Sequence, residues 1–305
     1  MTGTGDLGQI SAKLTEMFNT GDVYPLAVLI SITFILAGVG YKIASVPFHM
    51  WSPDVYEGAP IPITAFLSVA SKSAGFALFI RFFYSGFGST EVMQSVDWTL
   101  MLAIVSALTM TGGNLAALPQ RNVKRLLAYS SIAHGGYLLM GGVLLTTEGQ
   151  AAILFYLVVY LFMNLGAFYV VVLIANEVGS EMIDGYRGLS SRAPLVAGAM
   201  AIFLFSLTGI PPFAGFFGKW VLFAAVIDKG LYWLAFVGLL NSVVSLYYYA
   251  RIVKAMYLES AEEAETERVS FSTGTFALLS VFVVPTVFIG FLNIFYTFSN
   301  IALQP

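Results

Sequence analysis

The sequence contains no cysteine, only two histidines and few charged residues. The lack of cysteine excludes disulfide frameworks, cysteine-held iron–sulfur clusters and thiol catalysis. Two histidines, His49 and His134, are too few for a haem or zinc cage without carboxylate help. Neither a Walker-type glycine loop nor a dinucleotide fingerprint occurs, so no cofactor or metal is expected on the chain and no nucleic acid among its partners. Charged residues make up 10% of the chain, against about 25% in ordinary soluble domains. Residues 1–22 lack a basic segment followed by a short apolar core, and read as a polar leader on the surface, with Lys13 and Glu16 in it, not as a signal peptide.

Apolar residues fill the space that charge leaves. Of 305 residues, 58% are hydrophobic, and mean hydropathy is +0.83. A helix crosses a bilayer with about 20 mostly apolar residues, and eight such runs can be marked. They are Val23 to Trp51, Ile63 to Phe83, Trp98 to Leu118, Val123 to Leu145, Ala151 to Ala175, Leu195 to Ile227, Leu231 to Tyr257 and Phe271 to Phe298. Polar and turn-forming residues separate them, as in Pro119 to Asn122 and Glu177 to Arg192. The acidic run Ala261 to Glu267 reads as a solvated loop. The expected class is all-α, a polytopic transmembrane helix bundle of about eight spans in a lipid bilayer.

Sorting the loops onto alternate sides puts Arg121, Lys124, Arg125, Arg187, Arg192, Arg251, Lys254 and Arg268 on one side, and Lys13, Arg81 and Lys229 on the other. The first side is therefore expected to be cytoplasmic, which leaves both termini outside. Two spans are over-long and carry proline, at Val46-Pro47 in the first and Pro211-Pro212 in the sixth. Each is expected to break its helix. Breaks at bilayer depth are tolerated where they are buried in protein or line a watery cavity, and paired broken helices mark inverted-repeat transporters.

Three lysines, Lys42, Lys72 and Lys219, lie within apolar spans. Each costs about 2.5–3.5 kcal/mol at mid-membrane on insertion scales, so a use or strong compensation is implied. Lys72 lies roughly 13 Å into its span at helical rise, beside Ser71, which could bond an ammonium or hold water. Lys219 follows the double proline; Lys42 would reach the interface only if its helix ended at Phe48. A desolvated lysine can exchange its proton where a hydrated one holds it, so these side chains can serve as relay stations. His134 lies deep in the fourth span with Ser130 and Tyr137 on its helical face, and imidazole passes protons near neutrality. His49, beside Trp51, is a weaker candidate of the same kind. All the carboxylates fall in loops or at span ends, so the lysines have no acidic partner deep in the membrane on this chain.

The stretch from Gly40 to Pro60, including Gly40-Tyr41-Lys42-Ile43-Ala44-Ser45-Val46-Pro47-Phe48-His49-Met50-Trp51, resembles the antiporter-like subunits of the proton-pumping NADH:quinone oxidoreductase (complex I), subunit N in particular. So do Leu67-Ser68-Val69-Ala70-Ser71-Lys72, Lys124-Arg125-Leu126-Leu127-Ala128-Tyr129-Ser130-Ser131-Ile132-Ala133-His134 and Leu207-Thr208-Gly209-Ile210-Pro211-Pro212-Phe213-Ala214-Gly215-Phe216-Phe217-Gly218-Lys219. The wider superfamily includes subunits of cation/proton antiporters.

This resemblance implies about fourteen spans in two inverted five-helix repeats, with the present chain similar to the seventh span onward. The antiporter-like domain would be 23–305, made of a remnant of the first repeat at 23–83, the second repeat at 98–257 and a terminal helix at 271–298. Lys42 and Lys72 would belong to the first proton path, His134 to a polar link and Lys219 to the end of the second path, with His49, Ser71, Ser130 and Tyr137 as accessory groups. The family's membrane glutamate, which pairs with the lysine matching Lys42, sits on an earlier helix absent from this sequence, so the chain could be a fragment, half of a split subunit or a degenerate copy. The implied partners are other membrane subunits of a respiratory complex and, for a split subunit, a separate chain supplying the missing helices. NADH, flavin, iron–sulfur clusters and quinone would belong to partners, and the location would be a bacterial inner membrane. The expected function is proton translocation coupled to quinone reduction elsewhere; the alternatives are a sodium/proton antiporter subunit and a non-conducting scaffold.

Overall fold

The structure, a computed structural model, describes residues 2–22, 24–89, 92–93, 96–260 and 271–291. The acidic run 261–267, Arg268 and the last span beyond residue 291 lie outside the described residues.

The polar leader forms a helix, α1 (Leu7–Thr20), where a surface segment was expected without further definition. Asp6 caps it by accepting from Gln9 N at 2.9 Å, Gly21 ends it in the left-handed region, and its one buried residue, Leu14, belongs to the core. The spans follow as α2 (Pro25–Ile43), α3 (Trp51–Gly58), α4 (Ile61–Gly86), α5 (Trp98–Ala117), α6 (Val123–Val143), α7 (Thr147–Val178), α8 (Pro194–Thr208), α9 (Ala214–Asp228), α10 (Tyr232–Leu258) and α11 (Thr273–Phe288). Their starts carry the expected signals: proline in the first turn of α2 and α8, and side-chain caps from Asp97, Asn122, Thr146 and Ser272 at α5, α6, α7 and α11.

The chain is an all-helical integral membrane protein in which, among the described residues, six helices are long and apolar enough to cross a bilayer. The other two of the eight expected spans are helical as well, and fall outside these six for a physical reason. The sixth run is cut by its break into α8 and α9, of 15 residues each. The fourth run, α6, is 21 residues long but carries Lys124, Arg125, two serines and His134 among its apolar residues. That polar helix is the centre of the bundle. Every residue of α6 is buried except Arg125 and Tyr129, and α3, α5, α7, α9 and α10 pack around it. Close approach of α5 to α6 depends on Gly113 and Gly136, where an added Cβ would stand 2.6 Å from Ala133 N and 2.6 Å from Met110 N.

Both expected breaks are present. The helix α2 ends at Ile43, with Ala44 in the left-handed region, and the chain turns through Val46 and Pro47 into α3. The helix α8 ends at Thr208, with Gly209 at φ 91°, before Pro211-Pro212 leads into α9. At the first break Ser45 N donates to Gly40 O at 2.8 Å, Val46 N to Thr109 Oγ1 at 3.0 Å, and Trp51 Nε1 to Tyr41 O at 3.0 Å. At the second, Gly209 N and Ile210 N both donate to Phe205 O at 3.0 Å, and Gly215 N donates to Ser206 Oγ at 3.0 Å. Carbonyls of the preceding turn and the side chains of Thr109, Trp51 and Ser206 thus take up backbone groups that each break releases, as a low-dielectric setting requires.

Candidate functional site

The terminal carbonyl of each broken helix is taken by a lysine. Lys72 lies on α4 immediately after a π-helical turn, Leu67–Ser71, an irregularity often found at functional sites. It is 3% exposed. Its Nζ donates to Ser131 O on α6 at 2.5 Å and to Ile43 O, the last carbonyl of α2, at 3.3 Å. Room for this approach comes from Gly135, whose added Cβ would stand 3.3 Å from Lys72 Nζ.

Lys219 lies in the second turn of α9 and is 4% exposed. Its Nζ donates to Thr208 O, the last carbonyl of α8, at 2.8 Å, and to Ser242 Oγ on α10 at 3.1 Å. The ammonium also stands 4.4 Å from the centre of the Tyr137 ring. Hydrogen bonds to a charged group contribute about 1.5–3 kcal/mol each, and a helix C-terminus carries roughly half a negative charge. The two helix ends therefore offset the cost of burying these cations, and no carboxylate is among either lysine's described contacts. The sequence expectation of a buried lysine without an acidic partner is met by backbone dipoles.

His134 lies on α6 between these two lysines' contacts. Its Nδ1 is 2.7 Å from Tyr156 OH on α7, and its Nε2 is 3.4 Å from Tyr249 OH on α10. Tyr249 OH also bonds Ser130 Oγ. Tyr137 OH donates to Gly238 O at 3.0 Å and lies 3.0 Å from Ser242 Oγ, so it shares Ser242 with Lys219. The rings of His134 and Tyr137 are 6.0 Å apart between centroids. Close to Lys72, Ser68 Oγ accepts from Asn164 Nδ2 at 2.7 Å, while Ser131 Oγ, Tyr160 OH and Tyr56 OH gather as a second buried hydroxyl cluster. The result is a polar interior through the middle of the bundle, made of exchangeable N–H and O–H groups.

The structure joins Lys72, Lys219, His134, Ser130 and Tyr137 to this interior. It does not join the other expected residues. Lys42 is exposed at the last turn of α2, with its stem against the position of Gly75. Of the three lysines expected at membrane depth, it is the one not buried. The reason is that α2 packs against α4 while Tyr24, Leu26, Ile30, Phe34 and Tyr41 stay exposed. His49 lies in the turn after α2, half-buried, and its Nδ1 has no described partner. Ser71 is half-buried within the π-helical turn and makes no described side-chain hydrogen bond; Ser68, three residues earlier, bonds Ala65 O and Asn164. Tyr156, Asn164, Ser242 and Tyr249 escaped the sequence reading. Depth within an apolar span could have found Asn164 and Ser242; the two tyrosines carry no such signal among 16 in the chain.

Among the described residues there is no group of three or more His, Asp or Glu able to hold a metal ion. Residues 1–245 match the family described as NADH:quinone oxidoreductase/Mrp antiporter, TM. The chain is 47% identical over 310 residues to NADH-quinone oxidoreductase subunit N of Anaeromyxobacter, covering 95% of this chain and 60% of that protein. It is 53% identical over 253 residues to the subunit N of Chlorobium chlorochromatii, covering 81% of this chain and 48% of that one. The chain thus spans about half to 60% of the length of these relatives. Among solved structures it is similar to respiratory complex I from Thermus thermophilus with bound aureothin, with TM-score 0.72 and 33% identity over 86% of this chain and 56% of that one. The Mrp complex from Dietzia shares the fold, with TM-score 0.84 and 22% identity over 99% of this chain and 62% of that one. On this match the chain belongs to the NADH:quinone oxidoreductase/Mrp antiporter transmembrane family.

Proposed function

We propose that the chain conducts protons as a membrane-arm subunit of an NADH:quinone oxidoreductase, with quinone reduction and its cofactors on other subunits. The observation that carries this reading is the placement of Lys72 and Lys219 at the carbonyl ends of two broken helices, each inside a polar interior. A lysine held by fixed dipoles can release and regain a proton without losing a covalent or ionic partner. Between them, His134, Tyr249 and Ser130 form one hydrogen-bonded group, and Tyr137, Ser242 and Lys219 form another. Beside Lys72 the hydroxyls of Ser131, Tyr160 and Tyr56 cluster, and they would extend the path with further exchangeable O–H groups. We assign the first-repeat remnant to 23–83 and the second repeat to 98–257, each with one broken helix.

Arg121, Arg187, Arg251 and Lys254 gather at one end of the bundle around a single cavity, which supports placing that end in the cytoplasm of a bacterial cell. The start of α2 then faces outward. Neighbouring membrane subunits are the implied partners. The test is Lys72→Met in membranes carrying the assembled complex. The expected result is NADH oxidation without proportionate proton pumping and with normal assembly; unchanged pumping per NADH would overturn the reading in favour of a scaffold. Pumping that required sodium would favour a sodium/proton antiporter instead.

A further inference from the structure

Away from the lysines, a cavity of about 310 Å³ opens at the end of the bundle between three separate segments, within the usual size of small-ligand sites. Arg121 comes from the α5–α6 connection, Ile183, Asp184 and Arg187 from the α7–α8 connection, and Arg251, Lys254 and Glu259 from the end of α10. Among the described residues, four cations face two carboxylates. Arg187 takes both carboxylates, with Asp184 at 2.7 Å and Glu259 at 3.0 Å, and Lys254 holds Glu259 at 2.9 Å. The hydrogen bonds from Lys254 and then Arg187 keep the Glu259 carboxyl below its ordinary range, so it is ionised at neutral pH and still leaves two positive charges in excess.

Those two are set up to receive an anion. Among the described residues Arg251 is anchored by one donor, Nη1 to Leu118 O at 2.6 Å, and its other four guanidinium N–H groups take no partner there. Arg121 has no ion pair among the described residues and is exposed. The surroundings are those of a membrane surface: Leu258 is 79% exposed, Tyr257 46% and Met182 41%, each beside a residue of the cavity or within a turn of one.

We propose that this basin holds the phosphate head of an anionic membrane lipid, with its acyl chains lying along Leu258 and Met182. Guanidinium groups bind phosphate oxygens through paired N–H donors, and basic pockets between transmembrane helices suit lipid phosphates. A lipid bound here would tie the end of α10 to two loops. Because α10 carries Ser242 and Tyr249, the same lipid would steady the polar interior. The proposal stands apart from the proton path, since none of its residues lies in it.

The experiment is a titration of the full chain, purified in neutral detergent, with phosphatidylglycerol or phosphatidylcholine of the same acyl chains, read by native mass spectrometry. Phosphatidylglycerol is expected to bind saturably, at least about tenfold more tightly than phosphatidylcholine, and to weaken as salt rises. The double variant Arg121→Gln, Arg251→Gln should bind it about thirtyfold more weakly, while Lys13→Gln with Lys229→Gln, at the other end, should bind it like the unaltered chain. Lys254→Gln, which leaves the Arg251 anchor intact, should weaken it about fivefold and provides the result if the double variant fails to fold. Glycerol 3-phosphate at the lipid's concentration should not displace it. Equal binding by the unaltered chain and these basin variants would overturn the proposal, and displacement by glycerol 3-phosphate would overturn it in favour of a soluble phosphate ligand.

Discussion

Replacing Lys219 with methionine separates a conducting role from a structural one. The change keeps an unbranched side chain only one atom shorter and removes its charge and donors. Thr208 O loses its described side-chain partner at 2.8 Å, whereas Ser242 Oγ keeps Tyr137 OH at 3.0 Å. An acceptor left unpaired in the interior costs about 1–3 kcal/mol, and the lost cation–π contact at 4.4 Å adds about 1–2 kcal/mol. Against that loss, methionine avoids the roughly 2.5–3.5 kcal/mol that an ammonium costs at mid-membrane. The two sides nearly cancel, so the net change in stability should stay within about 2 kcal/mol of either sign, a few degrees in Tm for a chain of this size. Conduction has no such cancellation, because methionine carries no exchangeable proton. Thermal unfolding in detergent and NADH-driven proton uptake by inverted membrane vesicles read the two quantities separately. A fall in Tm of more than about 10 °C with full pumping would refute the reasoning, since Lys219 would then be a structural ion and nothing more.

Other substitutions test single links. Tyr249→Phe removes the hydroxyl shared by His134 and Ser130; the pumping rate should drop by about tenfold, the effect of losing one hydrogen bond's worth of barrier stabilisation, with Tm little changed. Gly215→Ala would place a Cβ 1.8 Å from Ser206 O, a backbone atom at the second break. It should destabilise by about 3 kcal/mol or more, whereas Gly58→Ala, which meets nothing within 4 Å, should stay within about 0.5 kcal/mol; thermal melts of the pair check this. Arg125→Gln breaks the pairs that tie α6 to Asp54 and Glu57 on α3, at 2.8 and 2.5 Å. Because Arg125 and both acids are partly solvated, the loss should be about 1–2 kcal/mol in low salt and smaller in 1 M salt, measured as the shift in unfolding midpoint.

What the sequence made legible was whatever a single segment encodes. Val46-Pro47 and Pro211-Pro212 located both helix breaks, and depth within an apolar run singled out Lys72 and Lys219. The i, i+3 and i+4 spacing put Ser130 and Tyr137 with His134 on one face of α6. The acceptors of the lysines could not be read in the same way, because Ile43 O, Ser131 O and Thr208 O are backbone atoms that every residue owns. Tyr156 and Tyr249 reach His134 from α7 and α10, across sequence separations that no local pattern spans. Lys42 shows the limit of a single segment: its span is apolar enough to suggest burial, but burial is decided by what packs on the outer side of α2, where Tyr24, Leu26, Ile30 and Phe34 are exposed among the described residues. The fourth span is the least apolar of the eight for a related reason, since α6 owes its central place to polar residues that lower its own hydropathy.

The most direct measurement is infrared difference spectroscopy of the assembled complex carrying ¹⁵N-lysine, recorded between resting and NADH-energised states. Ammonium and amine bands that change on energisation, and that shrink in Lys72→Met and again in Lys219→Met, are the expected result. Lysine bands that stay the same while the complex pumps protons would contradict it, because the buried ammonium groups would then hold their protons throughout the cycle.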